Sequence, residues 1–106
     1  MTMAGDDLRS ITEVDRVIHE PARLLIVALL SAVREADFVF LQRQTGLTKG
    51  NLSSHLSRLE QAGYLRIDKG FRGKIPQTAC GLTPEGRAAF KAYRAQMRRT
   101  VVGSRR

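Results

Sequence analysis

One cysteine, two histidines, three prolines and no tryptophan among 106 residues leave little material for several kinds of chemistry. Cys80, His19 and His55 are too few and too scattered for a thiolate-based tetrahedral site within one chain, so no metal and no cofactor is expected. Cys80 reads as a small, half-buried apolar residue in a strand, in preference to a redox centre. Catalytic constellations are equally scarce. Ser54 and His55 are adjacent on a helical stretch and point about 100° apart, which prevents them from serving each other as nucleophile and base. No glycine-rich phosphate loop follows a strand and no motif sets up a pair of carboxylates, so the chain does not read as an enzyme. The longest apolar run, Leu24 to Leu30, is far too short to span a membrane and is bracketed by Arg23 and Arg34. Met1 to Glu13 is polar and acidic and lacks the basic-then-apolar order of a secretion signal, which implies a cytoplasmic protein without a membrane partner.

Acidic residues are also in short supply, 10 against 18 basic ones, for a net charge of +8. The first twenty residues hold Asp6, Asp7, Glu13, Asp15 and Glu20 against Arg9 and Arg16, a local balance of −3 that leaves +11 for the remainder. Such asymmetry suits a polyanionic partner: DNA first, with RNA or an anionic membrane as alternatives. Only six aromatic residues are present, so the core is mainly aliphatic, and the length fits one small domain.

What the chain does contain is concentrated between Leu47 and Leu65. Thr48 is placed to cap a helix over 49–62, and Gly63 to end it in a left-handed conformation. Leu52, Leu56 and Leu59 repeat at steps of four and three, giving a narrow apolar stripe that packs inward. Gly50, Asn51, Ser53, Ser54, Ser57 and Arg58 then fall on the outer arc, with Lys49 at its N-terminal edge. Serine, asparagine and glycine are mediocre helix formers, so this face gives up intrinsic helix stability. Each type has a use against DNA: Asn pairs bidentately with adenine, Ser meets a base edge or phosphate, Gly admits close backbone approach, and Lys and Arg neutralise phosphates.

The surroundings fit a helix-turn-helix. Asp37 caps a short helix over 38–45, whose Phe38, Phe40 and Leu41 are expected to face a core, and Gly46 turns the chain. Upstream, Pro21 opens an apolar core helix over 21–34. Downstream, 64–82 reads as a hairpin: a strand from Tyr64 to Lys69, a turn-rich basic loop from Gly70 to Pro76, and a strand from Gln77 to Leu82. Arg72 and Lys74 mark its tip and Lys69 its base. Thr83 and Pro84 open a C-terminal helix over 84–101, with Glu85 near the positive end of its dipole. Ala89, Phe90, Tyr93, Met97 and Val101 form a stripe on it, facing either the body or a second copy. Residues 1–13 read as a flexible acidic segment, 14–101 as the domain and 102–106 as a basic tail.

These residues carry a family resemblance. Ser53-Ser54-His55-Leu56 followed by Leu59-Glu60-Gln61-Ala62-Gly63 resembles the recognition helix of winged helix-turn-helix transcriptional regulators of the MarR-like and ArsR-like kind. Leu82-Thr83-Pro84-Glu85-Gly86-Arg87 is similar to the Leu-Thr-x-x-Gly-Arg segment that follows the wing in MarR-like proteins, and Ile18 to Leu24 to the His-x-x-Arg segment that opens their core helix. The likeness covers roughly Val14 to Met97. It implies a mainly α fold with a two-stranded wing and a C-terminal dimerisation helix, and a homodimer on a roughly palindromic promoter site.

By the same resemblance Lys49, Gly50, Asn51, Ser53 and Ser54 would enter the major groove of double-stranded DNA, and Arg72 and Lys74 would reach phosphates or the minor groove. Thr48 is expected as a cap first and a phosphate contact second. His55 is open between packing and a phosphate contact, and Arg58 between a solvated charge and DNA. Phe90, Tyr93, Met97 and Val101 are the candidates for dimerisation. The alternative function is a winged-helix module for protein assembly or nonspecific nucleic-acid binding. No small-molecule effector is named by the sequence.

Overall fold

The computed structural model describes residues 14–104, with side chains through Thr100. The expected acidic segment 1–13, the end of the basic tail and the side chain of Val101 lie outside the described residues.

Helix α1 spans Pro21–Ser31, with the Glu20 carboxylate accepting from the Arg23 backbone N–H at 2.7 Å and proline at the first helical position. Ile26, Val27 and Leu30 have no exposed surface. The helix stops three residues short of the expected 34. The chain has to leave it to lay Ala36–Asp37 along the sheet as strand β1, and the Arg87 guanidinium occupies the carbonyls of Ser31 and Val33 at 3.3 and 2.9 Å.

Helix α2, Phe38–Thr45, has the expected bounds, and Asp37 accepts from the Phe40 N–H at 2.7 Å. Of its three apolar candidates only Leu41 is fully buried. Phe38 is half-buried and shares Leu41's face three residues away, whereas Phe40 is rotated about 100° from Leu41 and is 41% exposed. Gly46, at φ 71°, ends the helix. Helix α3, Lys49–Gln61, follows after two residues, with Thr48 Oγ1 accepting from the Asn51 N–H at 3.1 Å. Leu52, Leu56 and Leu59 are buried as a stripe. Burying each of these leucines contributes roughly 1.5–3 kcal/mol, ample to offset a poorly helix-forming outer face.

Strands β2, Leu65–Arg72, and β3, Ile75–Leu82, pair antiparallel from Leu65–Leu82 at the base to Arg72–Ile75 at the tip. The expected loop 70–76 is therefore almost all strand. Gly73, at φ 65°, takes the first central position of a two-residue turn that Lys74 completes, the place where a type II′ turn demands glycine. Arg72–Ile75 is the hydrogen-bonded closing pair of such a turn, so the missing N–H of Pro76 falls on the next, non-bonded pair opposite Phe71 and costs the ladder nothing. The sheet has three strands in the order β1-β3-β2, one more than the sequence suggests.

Helix α4, Pro84–Ser104, runs three residues beyond the expected 101. The Thr83 hydroxyl accepts from the Gly86 N–H at 3.0 Å and donates to the Gly63 carbonyl at 2.6 Å, while the Thr83 N–H donates to the Tyr64 carbonyl at 3.0 Å. One of these bonds caps α4 and the other two tie its start to the turn that follows α3. Among the described residues no helix is long and apolar enough to cross a membrane.

Candidate nucleic-acid interface

The outer face of α3, the N-terminal half of α2 and the outer half of the hairpin enclose an open groove of about 1070 Å³. Lys49, Ser53 and Ser57 line it from α3, Lys69 and Arg72 from β2, and Gln42 from α2. The geometry follows from the fold. Three leucines pin α3 against α1 by its inner face, and β2 leaves the Gly63 turn antiparallel to β3, so the ribbon projects beside the exposed side of the helix.

Thr48, Lys49, Gly50, Asn51, Ser53, Ser54 and Arg58 are all exposed, as are Lys69, Arg72 and Lys74. Four of them, Lys49, Ser53, Lys69 and Arg72, meet in the groove; Thr48, Gly50, Asn51, Ser54 and Arg58 stand outside its walls, and Lys74 sits in the hairpin turn. Ser57 and Gln42 also line the groove. Helical periodicity had already put Ser57 on the outer arc, whereas the place of Gln42 depends on how α2 packs.

His55 is on a different side. Its side chain is 22% exposed, its Nδ1 lies 3.3 Å from an Arg23 guanidinium nitrogen and 3.9 Å from the Glu20 carboxylate. Arg23 donates in turn to the Val17 carbonyl at 2.6 Å. Through its Nδ1, His55 thereby joins α3 to the start of α1, the packing role that the sequence left open beside a phosphate contact.

The C-terminal candidates also need revision. Phe90 and Tyr93 are 9% and 5% exposed within one chain, and Met97 packs partly against the same core. Tyr93 meets the Nδ1 of His19 at 2.8 Å through its hydroxyl, and Arg94 stacks over the Phe90 ring at 5.6 Å. Phe90 and Tyr93 thus cover their own domain, while Met97 is only partly buried against it. Burial raises the Tyr93 pKa.

Two further groups have perturbed protonation. The Tyr64 hydroxyl donates to Asp15 at 2.6 Å, and this bond to a carboxylate, with burial, pushes the phenol up to about 12. Cys80 has no exposed surface, and burial pushes its thiol up to about 11. A thiol so buried and so weakly acidic is an inert core residue.

A helix, a glycine turn, a second helix with a polar outer face, and a basic β-ribbon beside it define a winged helix-turn-helix domain. Residues 22–101 match the model of the winged helix DNA-binding domain family, and the chain belongs to that family. An uncharacterized protein of Methanocaldococcus jannaschii is 34% identical over 79 residues, which span 74% of this chain and 85% of that protein. Among solved structures, a transcriptional regulator homologue from Pyrococcus horikoshii superimposes with a TM-score of 0.84 at 28% identity, covering 92% of this chain and 96% of the other. A MarR-family structure from Enterococcus faecalis shares the fold with a TM-score of 0.72 at 21% identity, over 84% of this chain and 80% of its own.

Proposed function

We propose that this DNA-binding transcriptional regulator occupies a roughly palindromic promoter site as a homodimer, with α3 in the major groove and the wing on phosphates or in the adjacent minor groove. It works in the cytoplasm, where its target lies. The observation that supports this most is the groove itself, where short polar side chains of α3 face the cationic Lys69 and Arg72 of the wing. Asn51, Ser53 and Ser54 supply groups that read base edges; Lys49, Arg72 and Lys74 supply phosphate neutralisation. A two-fold dimer would set two such helices about 34 Å apart, one turn of duplex. Since Phe90 and Tyr93 are largely buried within one chain, the dimer contact of α4 falls on the continuation of the stripe at Met97 and Val101.

The test is a binding series on duplex recovered from a random pool by the intact chain. Lys74→Ala is expected to weaken binding to every duplex and to lower the slope of log affinity against log salt by about 1. Asn51→Ala is expected instead to relax base preference, with a discrimination loss of roughly 1–3 kcal/mol at one position. Unchanged preference in Asn51→Ala, Ser53→Ala and Ser54→Ala together would remove α3 as the reading element. Analytical ultracentrifugation that finds only monomer on and off DNA would remove the dimer.

A further inference from the structure

The least explained side chains in the molecule are at the tip of the wing. Phe71 is 74% exposed and Ile75 70%, the highest values among the large apolar side chains of the described residues. Neither belongs to the core or to the partly buried shell around it. In the strand register Phe71 faces Pro76 and Ile75 faces Arg72, so the two apolar side chains stand on opposite faces of a narrow ribbon one step from its turn. A β-ribbon tip solvated on both sides gains nothing from an aromatic on one face and a β-branched side chain on the other, unless something takes them out of water.

The charge around them says what that is. Lys69, Arg72 and Lys74 are interleaved with Phe71 and Ile75, and no acidic residue occurs between Asp68 and Glu85. The tip also continues the wall of the groove: Arg72, Ile75 and Pro76 line the cavity that Lys49 and Ser53 line from α3. Duplex seated on α3 is thereby brought against the wing about half a helical turn, ~5 base pairs, away, where the minor groove faces the protein.

We propose, on the footing of the DNA-binding reading above, that Phe71 and Ile75 form an apolar wedge that enters the minor groove and opens a base step, while Arg72 and Lys74 hold the flanking phosphates. Apolar side chains inserted in this way unstack a step and kink the duplex toward the major groove. The wedge makes specificity depend on deformability, so the site carries a pyrimidine–purine step, TA or CA/TG, where the wing lands, although no side chain reads that step by hydrogen bonding.

The experiment uses the intact chain and the duplex recovered from a random pool, with a donor and acceptor dye at its ends and 2-aminopurine at the step under the wing. Wild type is expected to shorten the end-to-end distance and to raise 2-aminopurine fluorescence. Phe71→Ala and Ile75→Ala should each bind about tenfold more weakly and lose most of both signals. Phe71→Lys adds a phosphate-attracting charge, so it should recover affinity while the bend stays lost. Both side chains are solvent-exposed, and circular dichroism should show the variants folded as wild type is. Wild type bound to straight duplex with a silent 2-aminopurine, or Phe71→Ala bending as wild type does, overturns the wedge and leaves DNA binding standing. Wild type that retains no duplex at all overturns both. Retention on anionic phosphatidylglycerol vesicles that depends on Phe71, with duplex bending unaffected, assigns the tip to a membrane and overturns the wedge.

Discussion

Two regions of this domain use polar residues in opposite ways. At the back, the segments 15–23, 63–66, 83–87 and Tyr93 are joined by short bonds: Asp15 to Tyr64, His19 to Tyr93, Arg23 to Val17, Thr83 to Gly63 and Arg87 to the end of α1. At the front, Lys49, Asn51, Ser53, Ser54, Arg72 and Lys74 are exposed, and none of the side-chain bonds described above uses their side chains. The back consists largely of the segments that most resemble a known family, yet its work is to hold α1, α3 and α4 together. The front carries the unusually polar helix face and leaves its side chains free for the proposed contact with DNA. A motif that is conspicuous in sequence is thus as apt to be a clamp as a contact, because closing a fold at one point demands specific residues just as a ligand does.

The sharpest break of this contrast is Gly86→Ala. A Cβ on Gly86 would fall on the Tyr64 carbonyl, backbone against backbone, where neither side has a flexible end to move. Destabilisation of about 3 kcal/mol is expected, lowering Tm by more than 10 °C, on the scale of roughly 4–8 °C per kcal/mol for a domain this size. Melting within a few degrees of wild type would show that the clamp is slack.

Tyr64→Phe probes the same region more gently and should cost about 1 kcal/mol, the order of one hydrogen bond to a carboxylate at a partly exposed site. Its pH dependence has a definite sign. The folded phenol titrates near 12, above its ordinary value of 10, so the stabilisation is fully present below pH 10 and is lost as pH rises toward 12. Denaturant titrations of the two proteins should therefore run parallel below pH 10 and converge above it; a gap that stays constant to pH 12 would contradict the Asp15 bond. The smallest effect belongs to the front: Lys49→Ala should change stability by no more than about 0.5 kcal/mol while weakening duplex binding. A large loss of stability there would erase the distinction between the two regions.

The sequence made the local devices legible. The Asp37, Thr48 and Thr83 caps and the Gly46 turn act over three or four residues, so residue type and spacing suffice to find them. The leucine stripe of α3 is likewise a periodicity. What stayed hidden depends on distant partners. Strand β1 has two residues and exists only because Ala36 and Asp37 meet Cys80 and Ala79. The apolar stripe of α4 was visible, but periodicity names a face without naming what covers it, and Phe90 and Tyr93 are covered by their own domain. The hairpin tip read as loop because glycines and a proline dominate it, whereas a two-residue turn needs only Gly73 and tolerates Pro76 on a non-bonded pair. His55 fell between the two kinds of evidence, since its neighbour Arg23 lies 32 residues away.

Strand β1 covers the outer side of β3 only beside Ala79 and Cys80. From Ile75 to Thr78 no strand among the described residues pairs with that edge, the kind of surface along which neighbouring molecules zip into continuous sheets. Pro76 withholds a donor on this side and Lys74 stands charged beside it, so the hairpin can project far enough to be useful without inviting copies crowded on the same stretch of duplex to aggregate through their wings.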